Sequence, residues 1–396
     1  MLDPNYLLHV SEGAEEIAEK LHTDIINRII DRVILRLDRG DNYILTAQDK
    51  WQIETLQQAG YLMEDIQKEI AKATKLQQKE IAEAMEDAGV KALDYDDKIY
   101  QNAGLSPKPL MQSPHLIRLM QRNYEATMHE WQNFTKTFAN SAQQLFVGEL
   151  DHAFHLVSTG AISYTQALKE VVNHIVVGGV KVKYNTGHED TIETATLRAL
   201  RTGISQATAS IQLSRMEEMD CDKVIVSSHL GARPSHQIWQ GKIFTIEELH
   251  STNDGMPAFG TVGGICGANC RHNFSPWFDG MDNPFKDYDS EENQKAYEIE
   301  QRQRYLERRI RDAKRKTMNF KHSMDNAETD AGREAFEKLY QRQAASLQKQ
   351  NEKYKDFCKK NGLKEFQERL MVAKWDRKQA AKARGAAKRY ENAKGK

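Results

Sequence analysis

Three of the four cysteines fall between residues 221 and 270, interleaved with histidine, arginine and tryptophan. One stretch reads His229-Leu-Gly-Ala-Arg233-Pro234-Ser-His236-Gln-Ile-Trp239-Gln-Gly241-Lys. A second reads Gly-Ile-Cys266-Gly-Ala-Asn269-Cys270-Arg271-His272-Asn-Phe-Ser-Pro276. Thiolate and imidazole are the ligands zinc prefers, and four of them close a tetrahedron. Cys266, Cys270, His229 and His236 would supply such a set, with Cys221 as a further candidate. A small module with little apolar core would gain stability from the clip. The cysteine spacing, C-x3-C, comes without a second cysteine pair.

Two other readings use the same residues. In one, no ion is needed. Arg233 holds backbone carbonyls or an acid, and His236 pairs with a neighbouring loop. Pro234 and Gly241 set turns, Trp239 fills the core, and the cysteines are small buried apolar groups. In the other, Cys266 or Cys270, His229 or His236, and Asn269 form a thiol hydrolase. Nothing in the spacing brings those three together or lowers a thiol pKa, which that chemistry requires. Gly260-Thr-Val-Gly263-Gly264 is not a phosphate loop, because the Gly-Lys-Ser/Thr ending is missing.

The elements that must position this module are mostly helical. Of 396 residues, 39% are apolar and 29% charged, a balance suited to long, solvent-bathed helices. None of the eight prolines lies between Pro114 and Pro234, and a helix tolerates proline badly. Ile17, Leu21, Ile25, Ile29, Val33 and Leu37 recur at helical spacing. Gly40-Asp41-Asn42 breaks that pattern, and Thr46 is placed to cap a second helix ending near Gly60. A third helix follows over about Met63–Met85. After a proline-rich connector over 101–114, helical spacing resumes from His115 to Val157. Ser163 would cap a helix over Tyr164–Ile175 that Gly178-Gly179 ends, before a short strand at Val180–Tyr184. A helix over Thr191–Met219 carries small residues. Val224-Ile-Val226 reads as a strand. Ile299, Leu306, Ile310, Ala313, Thr317 and Phe320 follow a short heptad-like spacing. A last helix over about Ala335–Lys359 is capped by Asn361-Gly362. Trp51, Trp131 and Trp375 sit in helical patterns as core or interface anchors.

The fold class is therefore mainly α: extended N- and C-terminal helices around a small, loop-rich α+β module rich in Cys and His. The expected divisions are a helical region over 1–114, a central helical region with a short strand over 115–219, and the Cys/His module over 220–285. A coiled-coil-like region over 286–375 and a basic tail over 376–396 follow. No export signal or membrane-spanning segment is visible. Four cysteines in so long a chain suit synthesis in a reducing cytoplasm rather than a disulfide framework.

At the Cys/His module the sequence resembles the phage minor capsid protein 2 family, which is related to the Mu F-like head-morphogenesis proteins. The carrying motifs are His229-x-Gly-Ala-Arg-Pro-x-His236-x-x-Trp-Gln-Gly-Lys and Gly-Ile-Cys-Gly-x-Asn-Cys-Arg-His272-x-Phe-x-Pro276. Ser158-Thr-Gly160, Gly178–Tyr184, Leu200-Arg-Thr-Gly203 and Tyr354-x-x-Phe-Cys-x-x-Asn-Gly-Leu363, with Arg369, extend it. The resemblance implies a virion protein, present in few copies on the portal side of the head, and assigns no catalytic residues. Some Mu F-like relatives carry a C-terminal toxin or enzyme domain. The few residues after 375 leave no room for one, so the plain structural form is expected. The alternative is a thiol- or zinc-dependent hydrolase or toxin-like enzyme packaged in the head.

Net charge is −1 overall, but the last segment is strongly basic. Lys374, Arg377, Lys378, Lys382, Arg384, Lys388 and Arg389 would lie against packaged DNA, releasing counterions from phosphate, or would simply solubilise the chain. From Gln379 onward this tail is expected to be frayed or disordered when unbound. Expected partners are portal and capsid proteins and packaged DNA, in an oligomeric arrangement within the virion. No cofactor is expected apart from the zinc ion the Cys/His cluster would hold.

Overall fold

A chain whose prolines avoid its periodic apolar stretches can run helices far longer than average, and this one does. The computed structural model describes residues 1–3, 6–40 and 47–394. In chain order the elements are α1 (Tyr6–His9), α2 (Glu12–Leu37), α3 (Gln48–Asn102), α4 (Pro114–Ser158), α5 (Tyr164–Gly178), β1 (Val182–Lys183), β2 (Glu189–Asp190) and α6 (Ile192–Glu218). They continue with β3 (Lys223–Val226), α7 (Pro234–Gln237), β4 (Ile243–Thr245), α8 (Ile246–His250), β5 (Phe274–Pro276), α9 (Ser290–Asn326), α10 (Asp330–Asn361) and α11 (Arg377–Lys394). The fold is mainly α with a small α+β region, as the periodicity implies.

Several elements differ from the sequence reading. The expected break at Gly60 is absent, and α3 runs on as a single helix of 55 residues. One glycine in a helix costs only about 1 kcal/mol relative to alanine, and the buried stripe continues past it through Leu62 and Ile66. The turn after Gly40 and the cap at Thr46 fall at residues 41–46, outside the described residues. Trp375 lies in the turn before α11, not in a helix, and packs on the cluster around Leu306, Ile310 and Tyr354. The expected caps at Ser163 and Gly362 are present. Ser163 Oγ accepts from Gln166 N at 3.2 Å, and Gly362 takes a left-handed φ of 63°.

The basic tail also differs: it folds as α11. Ala383, Ala386 and Ala387 are buried at i, i+3, i+4 spacing, and α11 packs on α10. Alanine adds little to a hydrophobicity count but lets two helices approach closely, so composition alone reads such a segment as unstructured.

The chain divides into two compact units, each assembled from three separate stretches. The first comprises Met1–Glu15, Lys75–Asn133 and Thr194–Gln301. In it, Gly203 of α6 meets Thr127 of α4 so closely that an added Cβ would stand 2.2 Å from the threonine Oγ1. Gln212 donates to Asp96 Oδ2 at 2.7 Å and to the Phe274 carbonyl at 2.8 Å, tying α6 to α3 and to β5. The three-stranded sheet has the order β4-β3-β5, antiparallel throughout, with Val224 opposite Phe244 and Pro276. Its side chains Val224, Val226, Phe244 and Phe274 form one core with Trp239, Ile265, Cys266 and Cys270.

The second unit comprises Glu16–Thr74, Phe134–Glu193 and Arg302–Lys396. Its α2 buries Leu21, Ile25, Ile29, Val33 and Leu37, the stripe read from the sequence. Buried charges are paired. Glu193 forms an ion pair with Arg315 at 2.6 Å and lies 3.0 Å from His22 Nδ1, while Glu19 meets Arg311 and Arg315 at 3.4 and 3.2 Å. Burial by itself would raise the Glu193 pKa, yet Arg315 and His22 hold it well below the usual carboxylate range. Asp38 accepts from the backbone N–H groups of Glu328 and Thr329 at 2.7 and 3.1 Å, anchoring the turn into α10. No described helix is long and apolar enough to cross a membrane.

Two predictions follow from this packing. Gly203→Ala should destabilise the protein by about 1–3 kcal/mol, and Thr127→Ala should recover most of that loss in the double variant. Denaturant melts of the four proteins give the coupling; strictly additive effects would contradict the close approach. Glu193 is ionised in the folded state at pH values where the unfolded chain has begun to protonate, so its contribution is present above about pH 4.3 and fades as pH falls. Glu193→Gln should therefore cost about 3 kcal/mol at neutral pH and flatten the acid limb of the stability–pH curve.

Candidate functional site

Strand β3 ends at Val226, but its pairing with β5 continues one residue further. Ser227 N donates to the Asn273 carbonyl at 2.8 Å, and Asn273 N donates to Ser227 Oγ at 3.0 Å. This sets His272 beside the chain as it leaves β3. That chain loops out and returns at Gly241, whose N–H reaches the Val226 carbonyl at 3.1 Å and whose φ of 69° favours glycine. Inside the loop, extended Arg233 precedes Pro234, which opens the single-turn α7. Proline is tolerated there because the first helical N–H has no intrahelical partner. The turn carries His236.

The third contributor is the loop from Ser251 to Arg271, folded on itself. Ile265 N donates to the Pro257 carbonyl at 2.8 Å and Ala268 N to that of Val262 at 2.9 Å. Gly267 is so enclosed that a Cβ would lie 2.5 Å from the Thr261 and Val262 carbonyl oxygens. Cys266 and Asn269 both take a left-handed φ of 57°. For non-glycine residues that conformation costs on the order of 1–3 kcal/mol and persists only where surrounding contacts enforce it.

These three segments bring His236, Cys270 and His272 together in the core, with one ligand atom from each lying within 4.8 Å of the others. Cys270 Sγ stands 3.7 Å from His236 Nδ1 and 3.7 Å from His272 Nδ1. His236 Nε2 lies 2.8 Å from the Gly263 carbonyl, which only accepts, so Nε2 carries the proton and Nδ1 is bare. His272 Nε2 lies 3.2 Å from Gln240 Oε1. That oxygen also accepts the His229 backbone N–H at 3.1 Å, so it acts as acceptor and His272 Nδ1 is bare too. Trp239 covers the pair, with ring centroids 4.5 Å from His236 and 4.8 Å from His272.

The other residues singled out in the sequence take supporting positions. His229 is stacked on His272 at 4.4 Å, with Arg271 3.2 Å from its Nδ1. Arg271 also bonds Glu300 at 3.1 Å. Arg233 donates to the Ala268 carbonyl at 2.7 Å, pinning the cysteine loop as the ion-free reading has it. Cys266 Sγ is 3.8 Å from the His272 carbonyl, the same oxygen that Cys270 Sγ approaches at 3.8 Å. Cys221 lies apart, against the carbonyls of Lys223 and Trp277. In the second unit, Lys374 pairs with Asp24, while Arg377, Lys378, Lys382, Arg384, Lys388 and Arg389 are exposed on α11.

Sequence reasoning gave no role to Gln240, nor to Asn293, which is fully buried in α9. Asn293 Oδ1 accepts from the N–H groups of Gly231 and Ala232 at 2.9 and 3.0 Å, and its amide donates to the Ala232 carbonyl at 2.8 Å. Nothing local marks it. Its neighbours in sequence are mostly charged, and the loop groups it binds are more than fifty positions away.

Burial sets the chemistry of the cluster. It pushes the Cys266 thiol well above its ordinary value and raises that of Cys270, against the opposing pull of nearby hydrogen bonds and arginines. It lowers His236 to about 4 and holds His272 well below the ordinary imidazole range. A thiol hydrolase needs an accessible thiolate, and this environment favours the protonated form.

The sequence profile of the phage minor capsid protein 2 family matches residues 2–359. The chain belongs to the phage minor capsid protein 2 family. It is also similar to a protein described as "Structural protein" from Lactococcus phage LL-H, with 22% identity over 285 residues, covering 66% of this chain and 75% of the relative. No solved structure matches it. As a phage minor capsid protein it is a structural protein of the virion, and the Cys/His cluster lies within the matched region.

Because their sulfurs are buried, Cys266 and Cys270 of this minor capsid protein should resist a thiol reagent at pH 8 in the native state and both react after denaturation. Fast labelling of either in the folded protein, followed by peptide mass analysis, would reveal the accessible thiolate that the hydrolase reading requires.

Proposed function

We propose that this minor capsid protein acts in head assembly on the portal side of the phage head and touches the packaged DNA through α11. The observation that carries the DNA reading is the two-faced character of that helix. Its alanine face is buried and packs on α10, whereas Arg377, Lys378, Lys382, Arg384, Lys388 and Arg389 are exposed within thirteen residues. The helix contains one acid, Glu391. A folded cationic ridge loses less conformational entropy on meeting phosphates than a disordered tail would. Base identity is not read by such contacts, which suits a protein that must accept any genome sequence. The portal assignment rests on the resemblance to Mu F-like head-morphogenesis proteins, and the long helices, held rigid by their buried apolar faces, supply elements for docking on other head subunits.

DNA affinity of the full chain, measured as a function of salt, tests the α11 reading. Changing Lys382, Arg384, Lys388 and Arg389 together to Gln, a good helix former, should reduce the salt slope by about 3–4. An unchanged slope, or no binding by the wild type at low salt, would remove DNA from the account. Cross-linking in purified particles tests the location: cross-links to portal subunits are expected, and cross-links confined to the major coat protein would overturn it.

A further inference from the structure

We propose that His236 and His272, through Nδ1, and Cys270, through Sγ, are ligands of a structural zinc ion. The argument starts from hydrogen counting. Both Nε2 atoms are committed as donors, to the Gly263 carbonyl and to Gln240 Oε1, so two bare Nδ1 lone pairs face one sulfur. A thiol carries a single proton and can satisfy only one of them. The other would remain a buried acceptor without a donor, an arrangement that costs free energy. A divalent cation satisfies both nitrogens and the sulfur at once.

The spacing agrees. In a tetrahedral site with Zn–N near 2.0 Å and Zn–S near 2.3 Å, a nitrogen and a sulfur stand about 3.6 Å apart. Both separations here are 3.7 Å. Ligating histidines almost always give their remaining N–H to a carbonyl or carboxylate, which fixes the ring, and Gly263 and Gln240 already hold both rings that way. The His272 backbone N–H points at Cys270 Sγ from 3.3 Å, a contact that favours a thiolate. Cys266 Sγ approaches the same His272 carbonyl as Cys270 Sγ, outside the three-residue cluster. Soft sulfur with imidazole selects zinc over magnesium or calcium.

Such an ion would join α7, the cysteine loop and the entry to β5, segments that backbone pairing alone does not tie together. His236 and Cys270 are 34 positions apart, and the loop between them has little regular structure to hold its shape.

The test uses the full chain, stripped with a chelator and titrated with zinc sulfate, and is independent of the α11 reading. One zinc per chain is expected, with a rise in melting temperature of roughly 5 °C or more at saturation, and no rise with magnesium. Cys270→Ser and His272→Ala should weaken zinc binding about 100-fold or more, while Cys358→Ser should leave it intact. If stripped wild-type protein takes up no zinc at micromolar concentration, or melts at the same temperature with and without it, the proposal fails. It also fails if a folded Cys270→Ser protein retains full affinity. Should the variants not fold, the wild-type titration decides alone.

Discussion

The continuation of the β3–β5 ladder through Ser227 and Asn273 is the constraint on which the Cys/His region depends. Three strands of three or four residues bury little by themselves, and a sheet that small is marginal without packing from outside it. The hydrogen bonds between Ser227 and Asn273 carry the pairing past the last regular strand residue. They thereby place His272 next to the loop that holds His229 and His236. Gln212 on α6 reinforces the same strand from outside the sheet by donating to the Phe274 carbonyl. A slip of one residue between β3 and β5 would turn His272 to the opposite face of the sheet and disperse the cluster.

The polar groups around the cluster form a second layer with a consistent logic. Several of the groups that burial would penalise have a defined partner. Arg233 holds the cysteine loop by a carbonyl, Asn293 satisfies two consecutive N–H groups of the His229–Arg233 turn, and Gln240 serves both a backbone N–H and His272. Such networks add less to net stability than to uniqueness, because any alternative packing leaves buried polar groups unpaired. That property suits a structural protein of the virion, which must hold a shape against its neighbours.

The helical second unit is organised differently. Its charged interior rests on Glu193 and Glu19 facing Arg311, Arg315 and His22, and α11 docks on α10 through a buried alanine stripe flanked by the Lys349–Glu391 and Arg389–Glu337 ion pairs.

Much of this was legible in the chain itself. Period and proline placement determine that the protein is mainly helical, and local signals determine caps such as Ser163 and Gly362, because each depends on residues within one turn. The long motifs around His229 and Cys270 were sufficient to suggest the family. Tertiary structure decided the rest. Spacing offered His229 as a ligand and His272 as part of the frame, whereas the fold turns His272 toward Cys270 and stacks His229 behind it. The choice depends on strand register, a relation between residues about fifty positions apart that no local pattern encodes. The same holds for α11, whose alanine stripe is buried by packing on α10.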